Sequence, residues 1–97
     1  MFLSTADLVF RSKLAAAVAA RGGEVVKDAG ACDLAVIEMT IPGALERIRG
    51  FVAGGVPVLA YGAHVRADLL RAARDAGATA VPNSEVEQRL GALLSSP

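Results

Sequence analysis

Asp33-Leu34-Ala35-Val36-Ile37-Glu38-Met39-Thr40-Ile41-Pro42-Gly43 is the stretch that decides the fold. From Leu34 to Met39 it is apolar except for Glu38, as a strand covered on both faces should be. It then breaks at Pro42-Gly43. In open parallel α/β sheets, ligands and reacting groups lie outside the carboxyl ends of the strands. Glu38 stands at that end, so any chemistry run from this strand would start there.

Working outward, strand and helix patterns alternate along the whole chain, which predicts a parallel sheet with helices on both faces. Phe2-Leu3-Ser4 reads as a very short first strand. Thr5 or Asp7 can cap a first helix running to about Arg21 and ending at Gly22-Gly23. Phe10, Leu14, Ala17 and Val18 form its inner face, with Arg11 and Lys13 turned outward. Glu24-Val25-Val26-Lys27 reads as the second strand. Only five residues then separate it from Asp33, too few for an ordinary helix or for a right-handed crossover. The first strand is therefore expected between the second and the third, with the helix between strands two and three missing or vestigial.

Downstream of Glu38, Pro42 suits the first position of the next helix. Leu45, Ile48, Phe51 and Val52 form its buried stripe, and Gly50 weakens it by about 1 kcal/mol relative to alanine. Val56–Tyr61 reads as strand four, followed by a helix over Val65–Ala76 in which Leu70 falls beside the outer, arginine-bearing side. Thr79-Ala80-Val81 is a minimal fifth strand. Ser84-Glu85-Val86-Glu87 has the form of a capping box for the last helix, which Val86, Leu90, Leu93 and Leu94 seat. That capped helix and the Ser95-Ser96-Pro97 tail fit a natural chain end.

The composition narrows the class of protein. The 97 residues suit one domain, and the 54% hydrophobic content supports a real core. Ten basic and ten acidic residues cancel, which speaks against a nucleic-acid or anionic-membrane footprint. No apolar run approaches the ~20 residues of a membrane span, and the amino terminus lacks the basic region of a signal peptide. Cys32 is the single cysteine, so no intrachain disulfide forms and a cytoplasmic setting fits. It reads as a small residue ahead of a strand, not as a nucleophile.

Three blocks carry a resemblance: Asp33–Glu38 with Pro42-Gly43, Val56–Ala63, and Leu70–Ala78. In this order and spacing the chain resembles the receiver domain of bacterial response regulators over nearly its whole length. The resemblance implies the three-layer flavodoxin-like (CheY-like) α/β fold with a five-stranded parallel sheet in the order 2-1-3-4-5. It places Glu38 at the phospho-acceptor aspartate, Thr5 and Ala6 at the acidic pair that binds magnesium, and Gly62 at the switch hydroxyl. Asn83 or Ser84 falls at the family's lysine, and Val81 at its aromatic switch position. Metal, hydroxyl and lysine are what offset charge on a transferring phosphoryl group. Without them the chain looks like a degenerate pseudo-receiver: not an enzyme, without a cofactor, and acting through a protein partner or a second copy of itself.

Glu38 then has three readings: mimic of a phosphorylated aspartate, ligand for a cation or small molecule, or a carboxylate that caps a loop amide. The absence of a glycine-rich loop after the first strand weakens nucleotide binding. His64 reads as structural or solvent-facing, and Tyr61 as packed on a helix with its hydroxyl at the rim. The family's usual partner face would carry Arg66, Leu70, Arg71, Arg74, Glu85 and Arg89, rich in arginine and free of lysine as interfaces tend to be. A phospho-accepting receiver with unusual residues and a small-molecule-binding flavodoxin-like domain stand as alternatives.

Overall fold

The computed structural model describes residues 1–26 and 32–95. Four parallel strands form the sheet: β1 (Phe2–Ser4), β2 (Ala35–Glu38), β3 (Val58–Gly62) and β4 (Thr79–Pro82), in that spatial order. The helices are α1 (Leu8–Ala19), α2 (Ala44–Ala53), α3 (Ala67–Asp75) and α4 (Val86–Ser95). The fifth strand expected at Glu24–Lys27 is, among the described residues, a single parallel bridge between Val26 and Phe2 on β1. It is tied by the Val26 amide to the Met1 carbonyl at 2.8 Å. Lys27 and the expected lack of a helix before Cys32 lie outside the described residues.

The two-residue period of the strands sorts the core into two layers. Phe2, Ala35, Ile37, Val58, Ala60 and Ala80 face one way and meet Ala44, Ile48 and Phe51 of α2 and Leu70 and Ala73 of α3. Leu3, Val36, Leu59, Tyr61 and Val81 face the other way and meet Leu14 and Val18 of α1 and Val86 and Leu90 of α4. Both faces are thus covered, which is why β2 and β3 carry apolar side chains at consecutive positions. Phe2 packs against Phe51 with ring centroids 5.4 Å apart and planes tilted by 46°, and the Arg47 guanidinium lies over the Phe2 ring at 5.1 Å.

Several helix limits differ from the sequence reading, each for a local reason. α1 ends at Ala19, not Arg21, because Gly22 takes φ +81° and the Gly23 amide turns back to the Val18 carbonyl. Arg11 is half-buried, not turned out: its Nη2 donates to the Leu3 carbonyl at 3.3 Å. Pro42 does not open α2. It sits in a turn closed by the Ala44 amide on the Ile41 carbonyl, and Gly43 at φ +81° enters the helix as its cap. α3 starts at Ala67, leaving Val65 exposed in the loop. The Ser84–Glu87 segment is a 3₁₀ turn over Asn83–Glu85 leading into α4, not the start of a capped helix. Gly77, at φ +102°, turns the chain from α3 into β4 directly against Val52.

Candidate functional site

The loops after β1, β2, β3 and β4 all leave the same edge of the sheet, as parallel strands require, and Glu38 ends β2 at that edge. Its Oε1 accepts the Thr5 hydroxyl at 2.8 Å and the Ala6 amide at 3.0 Å. Its Oε2 accepts the Thr40 hydroxyl. Thr5 is itself buried and completes the link by accepting the Asp7 amide at 3.2 Å. Asp7 caps α1 by accepting the Phe10 amide at 3.0 Å. Glu38 thus caps the Ala6 amide in the loop after β1.

These contacts set the carboxyl's acidity. Burial raises its pKa, and the nearby Asp7 charge does the same. The bonds from Thr40, Ala6 and Thr5 outweigh both, so the group titrates below its ordinary 4.5. A depressed pKa contributes stability that is present above the unfolded value and is lost as pH falls through the folded one. Wild type is thus expected to be more stable than Glu38→Gln at pH 7, with the gap closing as pH falls through and below 4.5. Paired urea titrations at successive pH values measure this, and a gap that stays constant with pH would refute it.

Beside Glu38 lies an open depression of about 280 Å³ lined by Asp7, Phe10, Glu38, Tyr61 and Asn83. Phe10 and Tyr61 stack, ring centroids 5.0 Å apart. Tyr61 is not at the rim: it is 3% exposed, and its hydroxyl is buried with no hydrogen-bond partner. Burial pushes that phenol from 10.0 up to about 12, with Glu38 and Asp7 adding to the rise. The Thr5 hydroxyl beside it, whose oxygen keeps an acceptor lone pair after bonding Glu38 and the Asp7 amide, offsets part of the rise. The phenol is a neutral hydroxyl at all ordinary pH.

The structure brings Thr5, Ala6 and Glu38 into direct contact and sets Asn83 at the depression's edge. Ser84 is exposed and does not line it. Gly62 ends β3 beside Met39 and Leu70, with room for an added Cβ at 3.7 Å and 3.8 Å, but presents no hydroxyl. His64 is exposed. Thr40, Asp7 and Phe10 join the site although the sequence reading does not single them out for it. Thr40 is found only once the Pro42-Gly43 turn folds it back onto Glu38, whereas the capping role of Asp7 and the inward phase of Phe10 place both near the β1 end.

A magnesium site does not fit these residues. Where the resemblance implies two carboxylates, Thr5 offers a hydroxyl already donated to Glu38. Ala6 has no side-chain ligand, and its N–H points its positive end at the Glu38 carboxylate. Among the described residues no three acidic, histidine or cysteine side chains gather as a metal set.

On the face formed by α3, β4 and α4, Arg71, Glu85 and Arg89 are exposed. Arg66 pairs with Asp68 at 3.1 Å on the surface, and Arg74 Nη2 donates to the Ala80 carbonyl at 2.8 Å. Leu70 does not belong to that face. It is 5% exposed in the core between α3 and the sheet, sharing the inner stripe with Ala73 while Leu69 and Ala76 pack half-buried beside it.

No protein-family model matches the chain, and no curated protein matches it. Among solved structures, the chain is similar to the solution structure of a response regulator protein from Burkholderia multivorans. The two share 26% identity and superpose with a TM-score of 0.69, covering 99% of this chain and 94% of that one. The fold is receiver-like, and no described helix is long and apolar enough to cross a membrane.

Proposed function

We propose that this chain is a receiver-like regulatory domain that is not phosphorylated, catalyses no reaction, and acts by binding a protein partner. The observation that carries the reading is the convergence of three donors on Glu38. The carboxylate that would attack a phosphoryl group is already bonded to Thr5, Ala6 and Thr40. A nucleophile in that state has to give up charge-assisted hydrogen bonds before it reacts. Nothing replaces the metal and lysine that would offset the charge of the transferring group, since the corresponding positions hold Thr5, Ala6 and Asn83 or Ser84.

The switch is missing as well. Gly62 and Val81 stand at the positions of the hydroxyl and the aromatic ring, so the pair through which the family reports the state of the acceptor to the α3–β4–α4 face is absent. A partner, or a second copy, is therefore recognised by a constitutive surface. Arg71, Glu85 and Arg89 are the polar residues that this face offers. A bacterial signalling setting in the cytoplasm goes with this reading, as the similarity to a response regulator supports.

Incubation of the chain with magnesium and acetyl phosphate tests it. The expected mass spectrum shows no adduct. An adduct of about 80 Da, one phosphoryl group with its added negative charge, located on Glu38 would establish the alternative, a phospho-accepting receiver with an unusual acceptor.

A further inference from the structure

α1 differs from α2, α3 and α4 in carrying apolar or small side chains all the way round. Leu14 and Val18 on its inner side are buried against the sheet. Ala16 stands two residues from each, so at 100° per residue it points the opposite way. Ser12, Ala19 and Ala20 are exposed with it. On the first turn, Leu8 and Val9 are 75% and 68% exposed. Of the two charged side chains in α1, Arg11 is tied to the Leu3 carbonyl, which leaves only Lys13 on the exposed side. A helix that is apolar all round belongs in an interior, and the sheet covers only one side of this one.

The exposed side is complementary in shape to itself. Its bulk, Leu8 and Val9, lies in the first turn, and its hollows, Ala16, Ala19 and Ala20, lie in the second half. Two copies of α1 packed antiparallel about a two-fold axis between Ser12 and Ala16 lay Leu8 and Val9 of each copy on Ala20 and Ala19 of the other. The small side chains at the crossing let the two backbones come close.

The charges beside it agree. A methyl group on Gly91 of α4 would meet Arg21 Nη2 at 3.4 Å, so this side of α1 faces that side of α4. Lys13 and Ala17 precede Arg21 at four-residue steps, and Glu87 precedes Gly91 by four, so Lys13 and Glu87 border the same groove. Both are exposed and opposite in sign, and neither is engaged by a hydrogen bond or ion pair among the described residues. A two-fold copy that lays α1 on α1 also lays α4 on α4, and Lys13 of each copy then faces Glu87 of the other. Ten basic and ten acidic residues leave no net charge to hold two copies apart.

We propose that the chain forms a symmetric dimer through the outer side of α1, flanked by α4. The proposal goes beyond the reading above, since it does not depend on whether Glu38 can be phosphorylated. It also uses a different surface, because α3 with Arg71 packs on the opposite face of the sheet. A 12-residue helix is about 18 Å long. A pair of such helices with its rim falls below the roughly 1,200 Å² at which stable interfaces begin, so the dimer is a weak, concentration-dependent one.

Sedimentation equilibrium of the whole chain between about 10 μM and about 1 mM is the test. The average mass is expected to rise from 9.9 kDa at the lowest concentration toward twice that value. Ala16→Glu buries an unpaired charge at the crossing and is expected to weaken association at least about tenfold. Glutamate is a good helix former and Ala16 is exposed in the single chain, so the melting temperature of this variant at the lowest concentration should match wild type. Lys13→Glu and Glu87→Lys should each weaken association about threefold, and the double reversal should restore it. A mass that stays at 9.9 kDa throughout would overturn the proposal and leave the outer side of α1 to a different protein. So would Ala16→Glu associating as tightly as wild type, or a double reversal no tighter than the single ones. Association lost in Arg71→Ala but kept in Ala16→Glu would overturn it as well, by moving the contact to the α3–β4–α4 face.

Discussion

Gly77→Ala is expected to lower the unfolding free energy by about 2–4 kcal/mol, the sum of a left-handed backbone penalty and an overpacking penalty. Gly77 has φ +102°, where an L side chain is strained whatever space surrounds it. Here there is also no space: a Cβ would lie 2.9 Å and 3.3 Å from the two methyl carbons of Val52. Val52 cannot easily yield, because it is a β-branched residue on α2 packed against the core beneath α3. For a chain of this size each kcal/mol shifts the melting temperature by roughly 4–8 °C, so the loss should be plain in a thermal scan. Gly50→Ala is the control. Gly50 lies inside α2 with nothing within 4 Å of the place a methyl group would take, and alanine there should stabilise by about 0.5–1 kcal/mol. A Gly77→Ala protein as stable as wild type would show that the turn into β4 is looser than its contact with Val52 implies.

Leu59→Ala is expected to cost about 3–5 kcal/mol, the transfer free energy of the lost atoms plus a cavity that the neighbours cannot close. Leu59 is fully buried at the middle of β3, with β2 and β4 on either side. Its side chain shares a cluster with Leu14, Val18, Val36, Tyr61, Val81, Val86 and Leu90, drawn from α1, α4 and three strands. Collapse around the gap would have to move several elements at once. Domains of this kind are stable by only about 5–15 kcal/mol in total, so one such truncation removes a large share. Urea unfolding should show a lower midpoint at an unchanged slope, as a pure stability loss requires. Leu93→Ala, at a side chain 37% exposed, should stay within about 1 kcal/mol of wild type. Similar losses at the two positions would contradict the assignment of the core.

The order of elements and the place of Glu38 are legible in the sequence because both follow from strong local patterns. The continuous apolar run of β2, the helical spacing around Ile48 and the glycines after α1, α2 and α3 require no tertiary information. Tyr61 is legible in principle as well: the two-residue period puts it on the face of Leu59, beneath Phe10 of the inner stripe of α1. Its burial departs from expectation because a phenol at the end of a strand is usually half wet. The different place of Leu70 has another origin. The inner side of α3 is wider than one stripe: Leu69, Ala73 and Ala76 pack inward as their spacing implies, and Leu70, one residue on from Leu69, is buried with them although it neighbours Arg71 in sequence. Thr40 cannot be read from its neighbours at all. Its bond to Glu38 depends on a backbone reversal at Gly43, and the chain shows that reversal only as Pro-Gly, which fits a helix start equally well.

The bond from Arg74 to the Ala80 carbonyl bears on how the molecule behaves when crowded. Among the described residues β4 closes one side of the sheet, and a strand with no outer neighbour is a template on which another chain can add a strand. Arg74 reaches from α3 across to that strand and leaves a positive charge on it. Pro82 at its far end has no amide to donate. A second chain trying to extend the sheet there meets a guanidinium in place of a free carbonyl and then loses a rung of its ladder. The same two residues thus oppose strand addition along the backbone of β4, which would accept any extended segment and lead toward fibres.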